Sequence, residues 1–315
     1  MPDVASQPIA ATSASTALAP AIWGSTYLVT TEFLPPDRPL LAATVRALPA
    51  GLVLLSVGRV LPRGSWWWRA IVLGVLNIGA FFYLLFVAAY HLPGGMAALV
   101  MSTQPMIVLL LGGVLLREKI RAVHIVSCVL GIVGVAFLVL GPGVHLDSIG
   151  ILAGVLGALS MAVGIVLTKR WGRPSEVTLL TFTGWQLTAG GLVLLPITVV
   201  SEALPDHLTW RNAGGFLYLS VIGAMFAYAL WFRGISRLPA LAVSLLALAT
   251  PLCATVLGYV FLHQSLEPLQ LIGAAVLIAA VVLAQSRATQ PARTGTADVA
   301  GVVSGIQRGK DTAGR

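Results

Sequence analysis

The polar residues that could do chemistry in this sequence are few, and most stand inside long apolar runs. Arg46 is the only basic residue placed well inside such a run, where a cation can attract a carboxylate on a bound solute. The alternatives are that its side chain extends to the end of the run or pairs with Glu32. The motifs H-E-x-x-H, G-x-S-x-G and G-x-x-x-x-G-K-S/T do not occur. The sequence therefore favours binding of a solute over catalysis, and it predicts no metal or cofactor.

Polar and aromatic side chains recur near the middle of several apolar runs, where they should face a protein interior. Pro105 and Pro251 each interrupt a run, and a proline in mid-helix frees a carbonyl that a polar group must satisfy. We therefore expect two helix breaks beside a binding cavity. The alternatives are kinks capped by serine or threonine and, for the other polar side chains, hydrogen bonds between helices. The predicted substrate-binding residues are Trp23, Thr26, Tyr27, Arg46, Asn77, Tyr83, Ser102, Gln104, Trp185, Gln186, Tyr228, Trp231 and Thr250.

The elements that position these residues must be membrane helices. Charged residues make up 10% of the chain and the mean hydropathy is +0.93, whereas a soluble domain carries about 25% charge. Each apolar run is long enough to cross a bilayer as a helix. The sequence thus predicts an all-α membrane protein with ten transmembrane helices. They fall at about 14–33, 39–58, 68–89, 94–116, 122–140, 149–168, 177–199, 213–232, 239–262 and 267–286.

The net charge of +8 follows the connections between these runs. Lysine and arginine collect in every second connection, and only Arg38 and Arg211 stand on the other side. Because cytoplasmic loops carry the excess of Lys and Arg, both termini are predicted to be cytoplasmic. The same distribution argues against a nucleic-acid partner, which would need one basic surface.

Two segments of the chain resemble each other. The run from Arg46 to Leu55 matches the run from Gln186 to Leu195, including a shared GLVLL, and Gln104-Pro105 matches Thr250-Pro251. Two five-helix repeats at 14–140 and 149–286 follow, flanked by tails at 1–13 and 287–315, of which the second is predicted to be disordered. Because five is odd, the second repeat must be inverted relative to the first. Inverted repeats are a recurring architecture of transporters.

With these features the sequence resembles the EamA group of the drug/metabolite transporter superfamily. The resemblance rests on Trp23-Gly24-Ser25, on Arg46-Ala-Leu-Pro-Ala-Gly, on the segment from Pro93 to Pro105 and on Glu118. It implies a carrier of the bacterial inner membrane with a central cavity, often an exporter of amino acids or other metabolites. In the second repeat Gln264 stands where the first has Glu118, so a role that needs both carboxylates is in doubt.

Several questions stay open at this point. The lipid bilayer and a small-molecule substrate are the expected partners, and a homodimer is left open. Carriers of nucleotide sugars or lipid-linked sugars are the nearest alternative, and a scaffold protein that packs through Gly150 and Gly154 is another. Glu32 is the only carboxylate expected to reach the cavity, so we predict facilitated or weakly coupled transport rather than a buried carboxylate relay.

Overall fold

A computed structural model describes residues 9–92, 94–139, 147–205, 207–261 and 268–286. Expectations for Pro93, Gln264 and most of the two tails lie outside these residues. The described part forms helices and connections without β-strands. The helices are α1 (Ile9–Phe33), α2 (Pro39–Gly58), α3 (Trp66–His91), α4 (Gly94–Met101, then Gln104–Leu111 and Gly112–Leu116), α5 (Ala122–Val139), α6 (Ser148–Trp171), α7 (Leu179–Ser201), α8 (Trp210–Arg237), α9 (Ala240–Phe261) and α10 (Pro268–Ser286).

Most of these helices have the length and composition of membrane spans. Within the described residues, seven are long and apolar enough to cross a bilayer: α2, α3, α6, α7, α8, α9 and the Leu99–Leu116 part of α4. The apolar stretches of α5 and α10, Ala122–Phe137 and Pro268–Ala284, are shorter. α1 is long enough to cross a bilayer, but its serines and threonines make it less hydrophobic than the seven. The chain is therefore membrane-spanning, while ten crossings remain a prediction.

Local sequence accounts for where several helices begin and end. Pro39 opens α2, where its missing N–H costs no helical bond. Asp147 caps α6 by accepting hydrogen bonds from the backbone N–H groups of Ile149 and Gly150 at 2.8 and 2.9 Å. These bonds, led by that from Gly150, hold the pKa of the Asp147 carboxyl below its usual value. Thr209 forms a capping box at the start of α8.

Two helices are wound more loosely at matched positions. α3 contains a π-helical segment at Val75–Gly79, and α8 contains one at Val221–Phe226. The two begin 146 residues apart, since 221 − 75 = 146. Gln104-Pro105 and Thr250-Pro251 are separated by the same distance in sequence. A π-helical turn shifts the backbone hydrogen bonds by one residue and is frequent at functional sites.

Small residues let helices pack closely, as is usual between membrane helices. α2 lies antiparallel to α7, because Leu40 at its start bonds Glu202 while Leu54 near its end packs on Gly184. A Cβ atom added at Gly184 would lie 2.9 Å from the Leu54 Cβ. Gly150 and Gly154 face Leu92 and Val100 of the same chain. This glycine pair therefore packs within the chain, so it no longer supports a scaffold that binds another protein through these residues.

Candidate functional site

A cavity lies among α1, α2, α3, α4, α6, α8 and α9. Its volume is about 80 Å³, which is room for a handful of waters at roughly 10–15 Å³ each. Its wall is mainly apolar and aromatic with a few polar groups, as in most small-molecule sites. The lining residues are Trp23, Thr26, Tyr27, Arg46, Phe81, Leu85, Met101, Ser102, Gln104, Pro105, Ala158, Met161, Tyr228, Trp231, Ala247, Leu248, Thr250 and Pro251.

Aromatic rings from α1 and α8 form one side of the cavity. The ring centroid of Trp23 lies 4.9 Å from that of Tyr228 and 5.1 Å from that of Trp231. The polar edges of two rings are tied to the π-helical segments. Trp23 donates its indole N–H to the carbonyl of Gly223 at 2.9 Å, and Tyr228 donates its hydroxyl to the carbonyl of Asn77 at 3.2 Å. These two hydrogen bonds fix the orientation of the Trp23 and Tyr228 rings in the cavity wall.

Arg46 lies beside these rings, since it shares the Gly223 carbonyl with Trp23, and is 2% exposed. Its Nη2 donates to the Gly223 carbonyl at 3.2 Å, and its guanidinium carbon stands 4.5 Å from the centre of the Phe82 ring. The side chain thus does not extend to the membrane surface. It does not pair with Glu32 either, because Glu32 binds Arg211 at 3.0 Å near the ends of α1 and α8. Both alternatives to a buried cation are therefore wrong.

Both predicted helix breaks border the cavity. α4 is interrupted at Ser102 and Thr103, whose hydroxyls donate to the carbonyls of Leu99 and Val100 at 2.6 and 2.7 Å. α9 is interrupted at 247–248, just before Pro251, and the Thr250 hydroxyl donates to the carbonyl of Pro20 at 3.1 Å. Ser102 and Thr250 thus each make a hydrogen bond and line the cavity, while none of these hydroxyls bonds the carbonyl four residues before Pro105 or Pro251.

Four predicted binding residues lie away from the cavity. Asn77 donates from its side-chain amide to Gln186 at 2.8 Å and to Thr168 at 3.1 Å, which joins α3 to α7 and α6. Trp185 donates its indole N–H to the carbonyl of Val60 at 2.7 Å. Tyr83 is 39% exposed, on the outer surface of the bundle. For Asn77, Gln186 and Trp185 the geometry favours hydrogen bonds between elements over a place in the cavity wall.

Apolar lining residues were missed by the sequence reasoning. They are Phe81, Leu85, Met101, Ala158, Met161, Ala247 and Leu248. In a chain that is 57% hydrophobic, an apolar side chain facing a cavity has the same sequence signature as one facing a neighbouring helix. The two in the break of α9, Ala247 and Leu248, could have been found from their closeness to Pro251.

Comparison with known proteins places the chain in a family. The model of the EamA-like transporter family matches it twice, over residues 13–140 and 148–285. The chain belongs to the EamA-like transporter family. It is 49% identical over 267 residues to the protein PecM of Dickeya dadantii, an alignment that covers 85% of this chain and 90% of PecM.

More distant relatives cover a similar share of the chain. An uncharacterised inner membrane transporter of Escherichia coli, YedA, is 30% identical over 83% of this chain and 86% of its own length. A WAT1-related chloroplast protein of Arabidopsis thaliana is 30% identical over 83% of this chain and 66% of its own. A crystal structure with 19% identity superposes with a TM-score of 0.73 and covers 89% of this chain and 99% of the other. That likeness shows a shared fold.

Proposed function

We propose that this EamA-like protein moves small amphipathic metabolites, amino acids or related solutes, across the bacterial inner membrane. The proposal rests on one observation: residues from both segments that match the EamA-like family line the cavity. Trp23 and Arg46 belong to the first match, and Tyr228 and Trp231 belong to the second. A site between two related halves can be exposed alternately to either side when the halves move relative to each other.

Helix packing supports an inverted repeat of five helices. α2 and α7 carry the matching GLVLL segments, and they lie antiparallel within one bundle. The matched π-helical segments of α3 and α8 offer equivalent carbonyls, Asn77 and Gly223, to side chains from other helices. Two copies that enter the membrane from opposite sides account for both features. Ten crossings, with both termini cytoplasmic as the Lys and Arg distribution predicts, complete the proposed topology.

Polar contacts at the helix ends are compatible with alternating access. At the proposed outer end the Glu202 carboxylate accepts the backbone N–H groups of Leu40 and Leu41 at 2.7 and 2.8 Å. At the proposed cytoplasmic end the Glu118 carboxylate accepts the N–H of Ala240 at 3.1 Å. These hydrogen bonds can separate as the halves move, whereas the apolar packing beside them, at Leu40 and Ala240, would have to rearrange. Export is the proposed direction, as the resemblance to the family implies.

A ligand screen with a blocked cavity tests the proposal. Purified protein is heated with amino acids, nucleobases, polyamines and sugars, because a bound solute raises the melting temperature. Ala247→Phe places a ring in the cavity, and Ala279→Phe places the same ring on the exposed face of α10 as the matched control. We expect at least one solute to stabilise the wild type and the Ala279 variant but not the Ala247 variant.

Flux measurement completes the test. The stabilising solute should exchange across proteoliposomes that contain the wild type or Ala279→Phe, and exchange should stop with Ala247→Phe. A solute that stabilises all three proteins equally, or exchange that survives the blocked cavity, would contradict a central transport site. Failure of every solute to bind, together with tight association to another membrane protein, would favour a scaffold role instead.

A further inference from the structure

Several side chains that line the cavity carry buried hydrogen-bond donors without partners. Within the described residues, Nε and Nη1 of Arg46, Nε2 of Gln104 and Nε1 of Trp231 are buried and have no hydrogen-bond partner. All three side chains line the cavity, and so does Thr26, whose buried hydroxyl is also unpaired. A buried polar group without a partner is costly, so such a cluster calls for a ligand that supplies what is missing. What is missing here is a set of acceptors.

The described residues provide no counter-charge for Arg46. The ion pair of Arg211 with Glu32 and the contact of His91 with Asp147 lie at helix ends. No Asp or Glu is among the lining residues of the cavity. A guanidinium buried without a carboxylate loses hydration that the Gly223 carbonyl and the Phe82 ring replace only in part. The cavity is therefore electrostatically incomplete.

The fold itself does not require a charge at this position. Gln186 occupies the place in the second repeat that Arg46 occupies in the first. Gln186 joins α7 to α3 with a neutral amide, which accepts from Asn77 at 2.8 Å. An amide thus suffices to tie this helix to its neighbours. The charge of Arg46 exceeds what that structural role needs, and it stands beside the cavity.

We propose that the cavity selects solutes that carry a carboxylate and binds that group through the unpaired N–H groups of Arg46. Gln104 and Trp231 are additional donors to the bound oxygens, and the rings of Trp23 and Tyr228 contact the apolar part of the solute. Hydrogen bonds that involve ionised groups are stronger than neutral ones, so the carboxylate dominates selection. This inference rests on the proposed transport function and names its substrate class as small solutes that carry a carboxylate.

Matched acid and amide pairs test the selection. The probes are phenylacetate with phenylacetamide and hexanoate with hexanamide, and the apparent Kd comes from the rise of melting temperature with concentration. The wild type should bind each acid at least tenfold more tightly than its amide. Arg46→Met should lose that preference. Arg211→Met, which removes an exposed arginine outside the cavity, should keep it.

The folded state of Arg46→Met is checked by its unliganded melting temperature, and replacing a buried charge by an apolar side chain usually allows folding. If that variant does not fold, Arg46→Lys replaces it and should weaken acid binding, because the planar fork of donors is lost. Equal binding of acid and amide by the wild type, no binding of either acid, or a preference that survives at Arg46→Met would overturn the inference. A neutral solute that Ala247→Phe excludes and Arg46→Met still binds would leave the transport proposal intact while refuting anion selection.

Discussion

The hydrogen bond between Asn77 and Gln186 predicts an energetic coupling that has nothing to do with substrate. Both side chains are fully buried, and the amide of Asn77 donates to Gln186 at 2.8 Å. Hydrogen bonds between membrane helices contribute on average about 0.6 kcal/mol and at most about 1.7 kcal/mol. A double-mutant cycle with Asn77→Ala and Gln186→Met should therefore give a coupling free energy of about 0.6–1.7 kcal/mol.

The assay is unfolding in mixed micelles of dodecyl maltoside and SDS, followed by far-ultraviolet circular dichroism. Asn77→Ala also loses the bond to Thr168, so its own free-energy cost should exceed the coupling and reach about 1–3 kcal/mol. The matched control cycle pairs Gln186→Met with Tyr83→Phe. Tyr83 is on the same helix as Asn77 but is 39% exposed, so the free-energy costs of Gln186→Met and Tyr83→Phe should add.

Ligand binding provides the outcome that would refute this reasoning. Since neither side chain lines the cavity, the Kd of any solute found in the screen should change less than about threefold in the single variants. A coupling of zero together with a tenfold weaker Kd would show that Asn77 and Gln186 contact the substrate, as the sequence first predicted. The hydrogen bond between them would then not be the reason for their burial.

Two further predictions concern the outer end of the bundle and the contact between repeats. Glu32→Gln should keep proteoliposome exchange and its response to a proton gradient, because Glu32 pairs with Arg211 outside the cavity; a lost gradient response would contradict weakly coupled transport. Gly191→Ala should destabilise the protein by about 1–3 kcal/mol in the micelle assay, since its Cβ would lie 2.7 Å from that of Leu48. Gly214→Ala is the matched control, with no atom within 4 Å, and its unfolding should match the wild type.

Helix positions followed closely from hydropathy. The predicted span at 39–58 coincides with α2, Pro39–Gly58, and the predicted breaks appear beside Pro105 and Pro251. α8 ends at Arg237 rather than near residue 232, and the start of α1 departs by as many residues, since α1 begins by Ile9 rather than near residue 14. Its first turns contain Thr12 and Thr16, which are buried in the bundle. A hydropathy profile therefore underestimates the length of a helix whose polar face packs against protein.

The binding residues were harder to place. Arg46, Tyr228 and Thr250 line the same cavity as predicted from their polar character in apolar runs, and whether they bind substrate remains a prediction. Asn77 and Trp185 have the same character yet lie elsewhere. Polarity within a membrane helix says that a side chain needs a partner, and it does not say whether that partner is another helix or a solute.

The sequence by itself determined that this chain crosses a membrane as helices and that α4 and α9 are broken near Pro105 and Pro251. Backbone groups in hydrocarbon must bond internally, and a proline removes one of those bonds wherever it stands. Only the tertiary structure decided which polar groups share the cavity. Gln186 accepts a hydrogen bond from Asn77 across a helix contact, whereas Arg46 at the equivalent position lines the cavity. That difference depends on which neighbour each helix face meets, and no periodicity in the sequence records it.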